Sequence, residues 1–250
     1  MAAAETKTPA KPAPTAGTGK GTEAGRSSQR TARRPAPGRP ARDTLIVRRV
    51  LKPLIWAAAL APALILGIRA IRDDLTANPI ELLTNWTGYT TLVLLMATLA
   101  VTPLRRLTGW NPLIRVRRLV GLFAFFYATL HFLVYIVLDQ FFWWEGIIDD
   151  VLDRPYITVG FTAFLLLIPL AFTSTRGWIR RLGKRWQKLH RLVYLIGGLG
   201  VLHYFWKVKA DTRQPLIFAA LLAALLAARL LPAIRKRIRN RRSPAIASAR

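Results

Sequence analysis

Long apolar segments alternate with short polar segments along most of this chain. The hydrocarbon core of a bilayer is ~30 Å thick and takes about 20 mostly apolar residues per spanning helix. Six segments meet this requirement, at residues 50–68, 88–104, 116–138, 156–174, 190–206 and 215–232. The fifth is the weakest, because it is short and is interrupted by Gly197, Gly198 and Gly200. The pattern predicts an all-α integral membrane protein built as a bundle of six transmembrane helices.

Polar sequence flanks the predicted bundle at both ends. Residues 1–44 contain no large apolar residue beyond Met1. Such a segment cannot bury enough apolar surface to offset the entropy lost on ordering, so we predict a disordered basic N-terminal tail there. The transmembrane domain is expected at residues 45–235, followed by a basic cytoplasmic tail at residues 236–250.

Basic and acidic residues fall on opposite sides of the predicted membrane. The side that carries the N-terminus holds 32 of the 38 Lys and Arg residues, and the other side holds 9 of the 12 Asp and Glu residues. Because loops rich in Lys and Arg stay in the cytoplasm, both termini are predicted to be cytoplasmic. The basic segments are 1–49, 105–118, 176–191 and 229–250, together with Lys52. The acidic outer loops are 69–86, 139–155 and 207–214.

Composition narrows the classes of function. The chain has 250 residues, is 52% hydrophobic and carries a formal net charge of +26, which by itself could suggest a nucleic-acid partner. That class is excluded, because the basic residues lie in short clusters between segments that only a lipid bilayer accommodates. The chain has no cysteine. This excludes disulfides, thiolate metal sites and iron–sulfur ligation.

All three histidines lie in the predicted third and fifth helices. Ionisable residues inside a membrane are costly and usually functional. His131 lies 16 residues beyond Arg115, a rise of about 24 Å, and His203 lies 13 residues beyond His190, a rise of about 20 Å. His131 and His203 therefore share a depth near the outer side, while His190 lies near the inner side at the level of Arg117.

Two imidazoles at one depth on two helices suit a haem iron. Neutral imidazole is a good axial ligand, and helix bundles commonly house such cofactors. Zinc sites use three or four protein ligands, and no Asp, Glu or Cys lies at this depth. Haem supplies four nitrogens itself, so a haem held between helices 3 and 5 is favoured. For any single histidine, a hydrogen bond to a neighbouring helix is the alternative.

His190 and Arg117 leave two interpretations open. The 13 residues from His190 to His203 turn an ideal helix through about 220°, so either the helix is distorted or His190 lies just outside its regular part. Arg117 stands where a second histidine of helix 3 would be expected, 14 residues before His131. A second haem near the inner side would thus have His190 as its single histidine ligand, and Arg117 would pair with its propionates. Otherwise His190 lies near a quinone or flavin site, and Arg117 reflects ordinary positive-inside topology.

Four stretches occur in an order and at spacings that are typical of one protein family. They are RVRRLVGLFAFFYATLH at 115–131, PYITVG at 155–160, PLAFTS at 169–174 and WQKLHRLVY at 186–194. This pattern resembles the MsrQ (YedZ) family, the haem-binding membrane subunits of bacterial periplasmic protein-methionine-sulfoxide reductase systems. The resemblance runs across about residues 50–235. The wider fold is similar to the transmembrane domain of ferric reductases and NADPH oxidases.

The resemblance implies a b-type haem protein of the bacterial inner membrane that also binds FMN. It implies one or two haems, with His131, His190 and His203 as the haem histidines. Electrons would come from the quinone pool or a flavin reductase and pass to MsrP, the periplasmic molybdopterin subunit that reduces methionine sulfoxide. The chain itself would be an electron-transfer subunit without a catalytic residue of its own.

Other functions fit parts of the pattern. A stand-alone transmembrane quinol or ferric reductase would also hold haem. A small proton-coupled transporter with a histidine relay would hold none, and the lack of intramembrane Asp or Glu weakens that hypothesis. A structural or assembly factor would not need the histidines at all.

Overall fold

The structure is a computed structural model. It describes residues 45–242, with side chains over residues 45–231. The predicted disordered tail at 1–44 and the end of the predicted C-terminal tail, 243–250, lie outside the described residues.

Every regular element within residues 45–242 is a helix, which confirms the all-α prediction for that part of the chain. Two short π-helical segments occur, Val47–Leu51 before α1 and Val134–Asp139 after α3, and a 3-10 turn, Asn111–Leu113, precedes α3. The α-helices are α1 Lys52–Ile71, α2 Pro79–Thr108, α3 Ile114–Leu133, α4 Trp144–Asp153, α5 Pro155–Phe172, α6 Arg176–Leu182, α7 Lys184–Leu189, α8 Leu192–Lys207 and α9 Arg213–Arg242.

Five helical stretches in the described residues are, by length and composition, able to cross a membrane. They are Val47–Ile71, Pro79–Thr108, Asn111–Asp139, Pro155–Phe172 and Arg213–Leu231. They coincide with five of the six predicted spans. The remaining predicted span, 190–206, forms α8, which has 16 residues. At 1.5 Å per residue α8 is ~24 Å long, which is less than the ~30 Å hydrocarbon core.

The helix α2 begins at Pro79, earlier than the predicted residue 88, because a cap precedes it. The side-chain oxygen of Asn78 accepts a hydrogen bond from the backbone N–H of Glu81 at 3.3 Å, and its amide donates to the Glu81 carboxylate at 3.1 Å. Pro79 takes the first helical position, where a missing N–H costs nothing. The added turns bring Thr84 to the level of His131.

The helices pack most extensively as two pairs, α2 with α3 and α5 with α8. Of the five spans, α2 is the most buried. Many large apolar side chains of α1 and α9 are exposed, as is usual for faces that meet lipid tails. The core is formed mainly where α2, α5, α8 and α9 meet, by Leu92, Leu95, Met96, Leu99, Leu167, Leu170, Val193, Ile196, Phe218 and Leu222.

A buried tyrosine ties α1 to α3 at a proline. Pro62 lies inside α1, and the fully buried Tyr127 comes from α3. The Tyr127 hydroxyl donates to the carbonyl of Ala59 at 2.6 Å and accepts from the N–H of Ala63 at 3.0 Å. These are the two backbone groups that an unbroken α-helix would join to each other. The hydroxyl therefore satisfies backbone groups where no water is available to do so.

Candidate functional site

The structure brings together two of the three histidines. His131 lies near the end of α3, and His203 lies near the end of α8. Their ring centroids are 6.0 Å apart, with the ring planes at 81° to each other. Both side chains are half-buried between helices. The equal depth expected from helix rise thus corresponds to direct proximity of the two rings.

Each ring is held at Nδ1 by a backbone carbonyl of another helix. Nδ1 of His131 lies 3.0 Å from the carbonyl oxygen of Thr84 on α2 and 3.4 Å from the hydroxyl of Thr87. Nδ1 of His203 lies 2.7 Å from the carbonyl oxygen of Tyr156 on α5. A carbonyl only accepts, so a neutral ring carries its proton on Nδ1 and leaves the lone pair on Nε2. Proteins orient metal-ligating histidines in this way.

The distance between the two ring centroids is as long as one metal ion bonded to both imidazoles would require. A metal–imidazole bond is about 2 Å long, and the ring centroid lies about 1 Å beyond the nitrogen, so two rings on opposite sides of one ion have centroids about 6 Å apart. The separation in this structure is 6.0 Å. This agreement depends only on the positions of the two imidazoles, which come from separate helices.

The donor set suits a planar tetrapyrrole better than a bare metal ion. In the part of the chain that the structure describes, no three His, Cys, Asp or Glu side chains come together as a metal site. The histidine pair therefore supplies two nitrogens. Zinc requires three or four protein ligands, whereas haem brings four nitrogens and leaves two axial positions for the protein.

Two glycines make room for the two rings. A β-carbon at Gly88 on α2 would lie 3.0 Å from Cε1 of His131. A β-carbon at Gly160 on α5 would lie 2.6 Å from Nδ1 of His203. Atoms in ordinary contact are about 3.5–4.0 Å apart. Any larger residue at either position would therefore displace the imidazole.

The residues next to the pair along α3 and α8 include an aromatic one, Phe132, and a charged one, Lys207. Phe132 stacks with Phe164 at a centroid distance of 4.6 Å, between α3 and α5. The π-helical segment Val134–Asp139 begins three residues after His131, and such segments are frequent at functional sites. The half-buried Lys207 ends α8 and donates a hydrogen bond to the side-chain oxygen of Asn85 on α2.

His190 and Arg117 lie at the other end of the helices. His190 caps the C-terminal end of α7 and precedes the first residue of α8, so it lies outside the regular part of α8. Its ring stacks on Trp186 at a centroid distance of 3.9 Å, and its Nδ1 is 3.2 Å from the Trp186 carbonyl oxygen. Its Nε2 is 3.5 Å from the hydroxyl of Ser174. Arg117 is close enough to act electrostatically on this ring. Neither residue joins the histidine pair.

Comparison with known proteins finds relatives over most of the chain. The protein-methionine-sulfoxide reductase heme-binding subunit MsrQ of Herminiimonas arsenicoxydans is 52% identical over 194 residues, which are 76% of this chain and 89% of that protein. The subunit of the same name from Rhodospirillum rubrum is 56% identical over 192 residues, which are 76% of this chain and 92% of that protein. The chain belongs to the MsrQ family.

A second comparison supports the same helical core for this MsrQ-family chain. A family described as the ferric reductase like transmembrane component matches residues 84–201. The match begins at Thr84, whose carbonyl holds His131, and ends two residues before His203. No solved structure matches the chain. The protein is therefore an MsrQ-family membrane protein with a ferric reductase-like transmembrane part.

Five contributors to this MsrQ-family site went unnoticed in the sequence. The carbonyls of Thr84 and Tyr156 are backbone groups, which every residue has and no pattern marks. Gly88 stands at the edge of a predicted span. Lys207 lies in a predicted loop, where it was one of many charged residues. Gly160 ends the PYITVG stretch. Tyr156 lies in the same stretch but contributes only its backbone carbonyl, so Gly160 is the one contributor that the residue type in a recognised motif could have indicated.

Proposed function

We propose that this chain is the haem-binding, electron-transferring membrane subunit of a protein-methionine-sulfoxide reductase system. His131 and His203 would hold a b-type haem between the third and fifth spans. The observation that carries the proposal is the imidazole pair with centroids 6.0 Å apart, each ring with Nδ1 on a carbonyl and Nε2 left for a metal. The names of the MsrQ relatives, heme-binding subunits of this reductase, support the same function.

The residues around the pair control ligation. The carbonyls of Thr84 and Tyr156 keep the two rings in the Nδ1–H tautomer and raise the basicity of each Nε2. Gly88 and Gly160 let the rings lie against α2 and α5, which fixes their orientation. A bound haem supplies a one-electron carrier, and the chain supplies axial ligands, orientation and a low local dielectric.

The proposed topology has six spans in the bacterial inner membrane, with both termini in the cytoplasm. The transmembrane domain is residues 45–235, between cytoplasmic tails at 1–44 and 236–250. The helix α8 counts as the fifth span despite its 16 residues, because it packs against α5, α9 and α2 and is thus partly shielded from lipid. The excess of Lys and Arg on one side supports the orientation.

The proposed partner is MsrP, the periplasmic catalytic subunit, bound as a heterodimer. In the proposed orientation, the His131–His203 pair lies towards the periplasm, within reach of a protein docked on the outer loops. The helix α4 in one of these loops presents the exposed acidic residues Glu145, Asp149 and Asp153 at a spacing of four, which places them on one face. A partner with a basic contact surface would complement this face.

The electron donor is proposed to be the quinone pool or a flavin reductase, with FMN as a further cofactor. The inner end of the bundle, with His190 beside Arg117, would hold either a second haem, whose carboxylates the arginine would pair with, or a quinone or flavin site near His190. Haem and flavin content per chain test these assignments separately. Haem reduction by added quinol distinguishes the two donors, since a flavin reductase would be needed if quinol has no effect.

Optical spectra of the detergent-purified protein test the haem assignment. Oxidised and dithionite-reduced wild type is compared with His131→Ala, His203→Ala and His190→Ala, with haem content measured in each. A sharp reduced α-band typical of bis-imidazole haem is expected in the wild type and should be lost in the first two variants. His190→Ala should halve the haem content if a second haem is present and leave it unchanged otherwise. A wild type without a Soret band after reconstitution with haem would overturn the proposal.

A stand-alone transmembrane reductase is the second candidate, favoured by the match to ferric reductase like transmembrane components. Reduced protein mixed with MsrP and methionine sulfoxide distinguishes the two functions. Rapid haem oxidation that requires MsrP supports the subunit function. Equally rapid oxidation by ferric chelates without MsrP, together with no stable complex, supports the stand-alone reductase.

A further inference from the structure

Lys207 places a positive charge beside the histidine pair. It is the last residue of α8 and follows His203 by four residues, so both side chains lie on one face of that helix. Its ammonium group hydrogen bonds to the side-chain oxygen of Asn85, next to the Thr84 whose carbonyl holds His131. The charge is close enough to act electrostatically on both imidazoles.

The described residues give this charge no carboxylate partner in contact. The ion pairs within residues 45–231 are Arg69 with Asp74 and Arg154 with Asp150. Glu81, one turn before Asn85 on α2, acts on Lys207 only at longer range. A half-buried ammonium has lost part of its hydration, and a neutral amide offsets little of that cost. Two of its three N–H donors remain for an anionic acceptor.

We propose that Lys207 binds a carboxylate of the haem held by His131 and His203. The inference rests on the proposed haem site. Haem carries two propionate carboxylates, and a cation one helical turn from an axial ligand is well placed to receive one of them. Lys207 is thus a positioning residue, which holds the haem edge at the proposed periplasmic end of the bundle.

The same charge raises the reduction potential of the haem iron. Reduction removes one positive charge from the iron, so a nearby cation favours the ferrous form. The effect is strong only where water does not screen it, and Lys207 is half-buried. Lys209, two residues further on, is exposed, and its charge is screened.

Midpoint potentials and haem content of the purified protein test the proposal. Lys207→Gln should lower the potential by the equivalent of about a tenfold change in the reduction equilibrium, about 59 mV for one electron, or release haem. Lys207→Arg keeps the charge and should restore both properties. Lys209→Gln is the matched control and should behave as the wild type.

Asn85→Asp is a second variant. It keeps Lys207 but places a carboxylate against its ammonium group, which neutralises the charge. It should shift the potential in the same direction as Lys207→Gln. An unchanged potential and full haem content in both Lys207→Gln and Asn85→Asp would overturn the proposal, as would an equal shift in Lys209→Gln. A wild type that binds no haem would instead overturn the proposed function, so the two failures are distinct.

Discussion

Gly160→Ala tests the site with the addition of a single methyl group. The β-carbon would lie 2.6 Å from Nδ1 and 2.8 Å from Cε1 of His203, well inside ordinary contact distance. The ring cannot retreat without losing the 2.7 Å hydrogen bond from its Nδ1 to the Tyr156 carbonyl. We therefore expect the imidazole to tilt away from its position opposite His131.

The size of the effect follows from two known costs. Overpacking a well-filled site costs about 1–3 kcal/mol, and loss of the hydrogen bond that orients a metal-ligating histidine costs about 10–100-fold in metal affinity. That range of affinity corresponds to about 1.4–2.8 kcal/mol. Alanine has a higher helix propensity than glycine, which stabilises the folded protein by at most about 1 kcal/mol. Haem affinity should therefore fall by about 10–100-fold while the protein still folds.

The assay is a haem titration of the apoprotein in detergent, followed by the Soret band. Gly198→Ala on α8 is the matched control, because a β-carbon at that position meets no atom within 4 Å. The control should bind haem as the wild type does. Wild-type affinity and spectrum in Gly160→Ala would refute the reasoning, because the methyl group would then have been accommodated without moving His203.

Three further predictions concern the second ring and the helix contacts. Gly88→Ala should weaken haem binding less than Gly160→Ala in the same titration, because its β-carbon approaches the ring only to 3.0 Å; a larger loss would contradict the geometry. Tyr127→Phe removes the hydroxyl bonded to the backbone of α1 and should cost about 1–3 kcal/mol, seen as a lower thermal unfolding midpoint in detergent. Asn78→Ala removes the α2 cap and should cost about 0.5–2 kcal/mol in the same assay. An unchanged midpoint in either variant would disprove that contact's contribution.

Hydropathy located the helices well because membrane insertion is a property of each segment by itself. Five of the predicted spans coincide with helices long enough to cross a bilayer, and the segment judged weakest became the 16-residue α8. The start of α2 was predicted too late because the cap at Asn78 is polar, so a search for apolar runs passes over it. The cap signal was nevertheless present, as an asparagine followed by proline and glutamate.

The sequence by itself determined the membrane class, the positions of the helices and the equal depth of His131 and His203. These properties depend on the hydropathy of each segment and on the rise per residue of its helix. Both are determined within one segment of the chain. The equal depth alone did not distinguish rings that face each other from rings that face lipid.

Only the tertiary structure decided which groups surround the two rings. These groups are the carbonyls of Thr84 and Tyr156, the space left at Gly88 and Gly160, and the charge of Lys207. Which groups meet the rings depends on the rotation of each helix about its own axis and on which helices are neighbours. Both are set by side-chain packing between helices that are distant in sequence. A hydropathy pattern averages over that rotation, so it predicts that a helix exists without indicating which atoms it presents to the site.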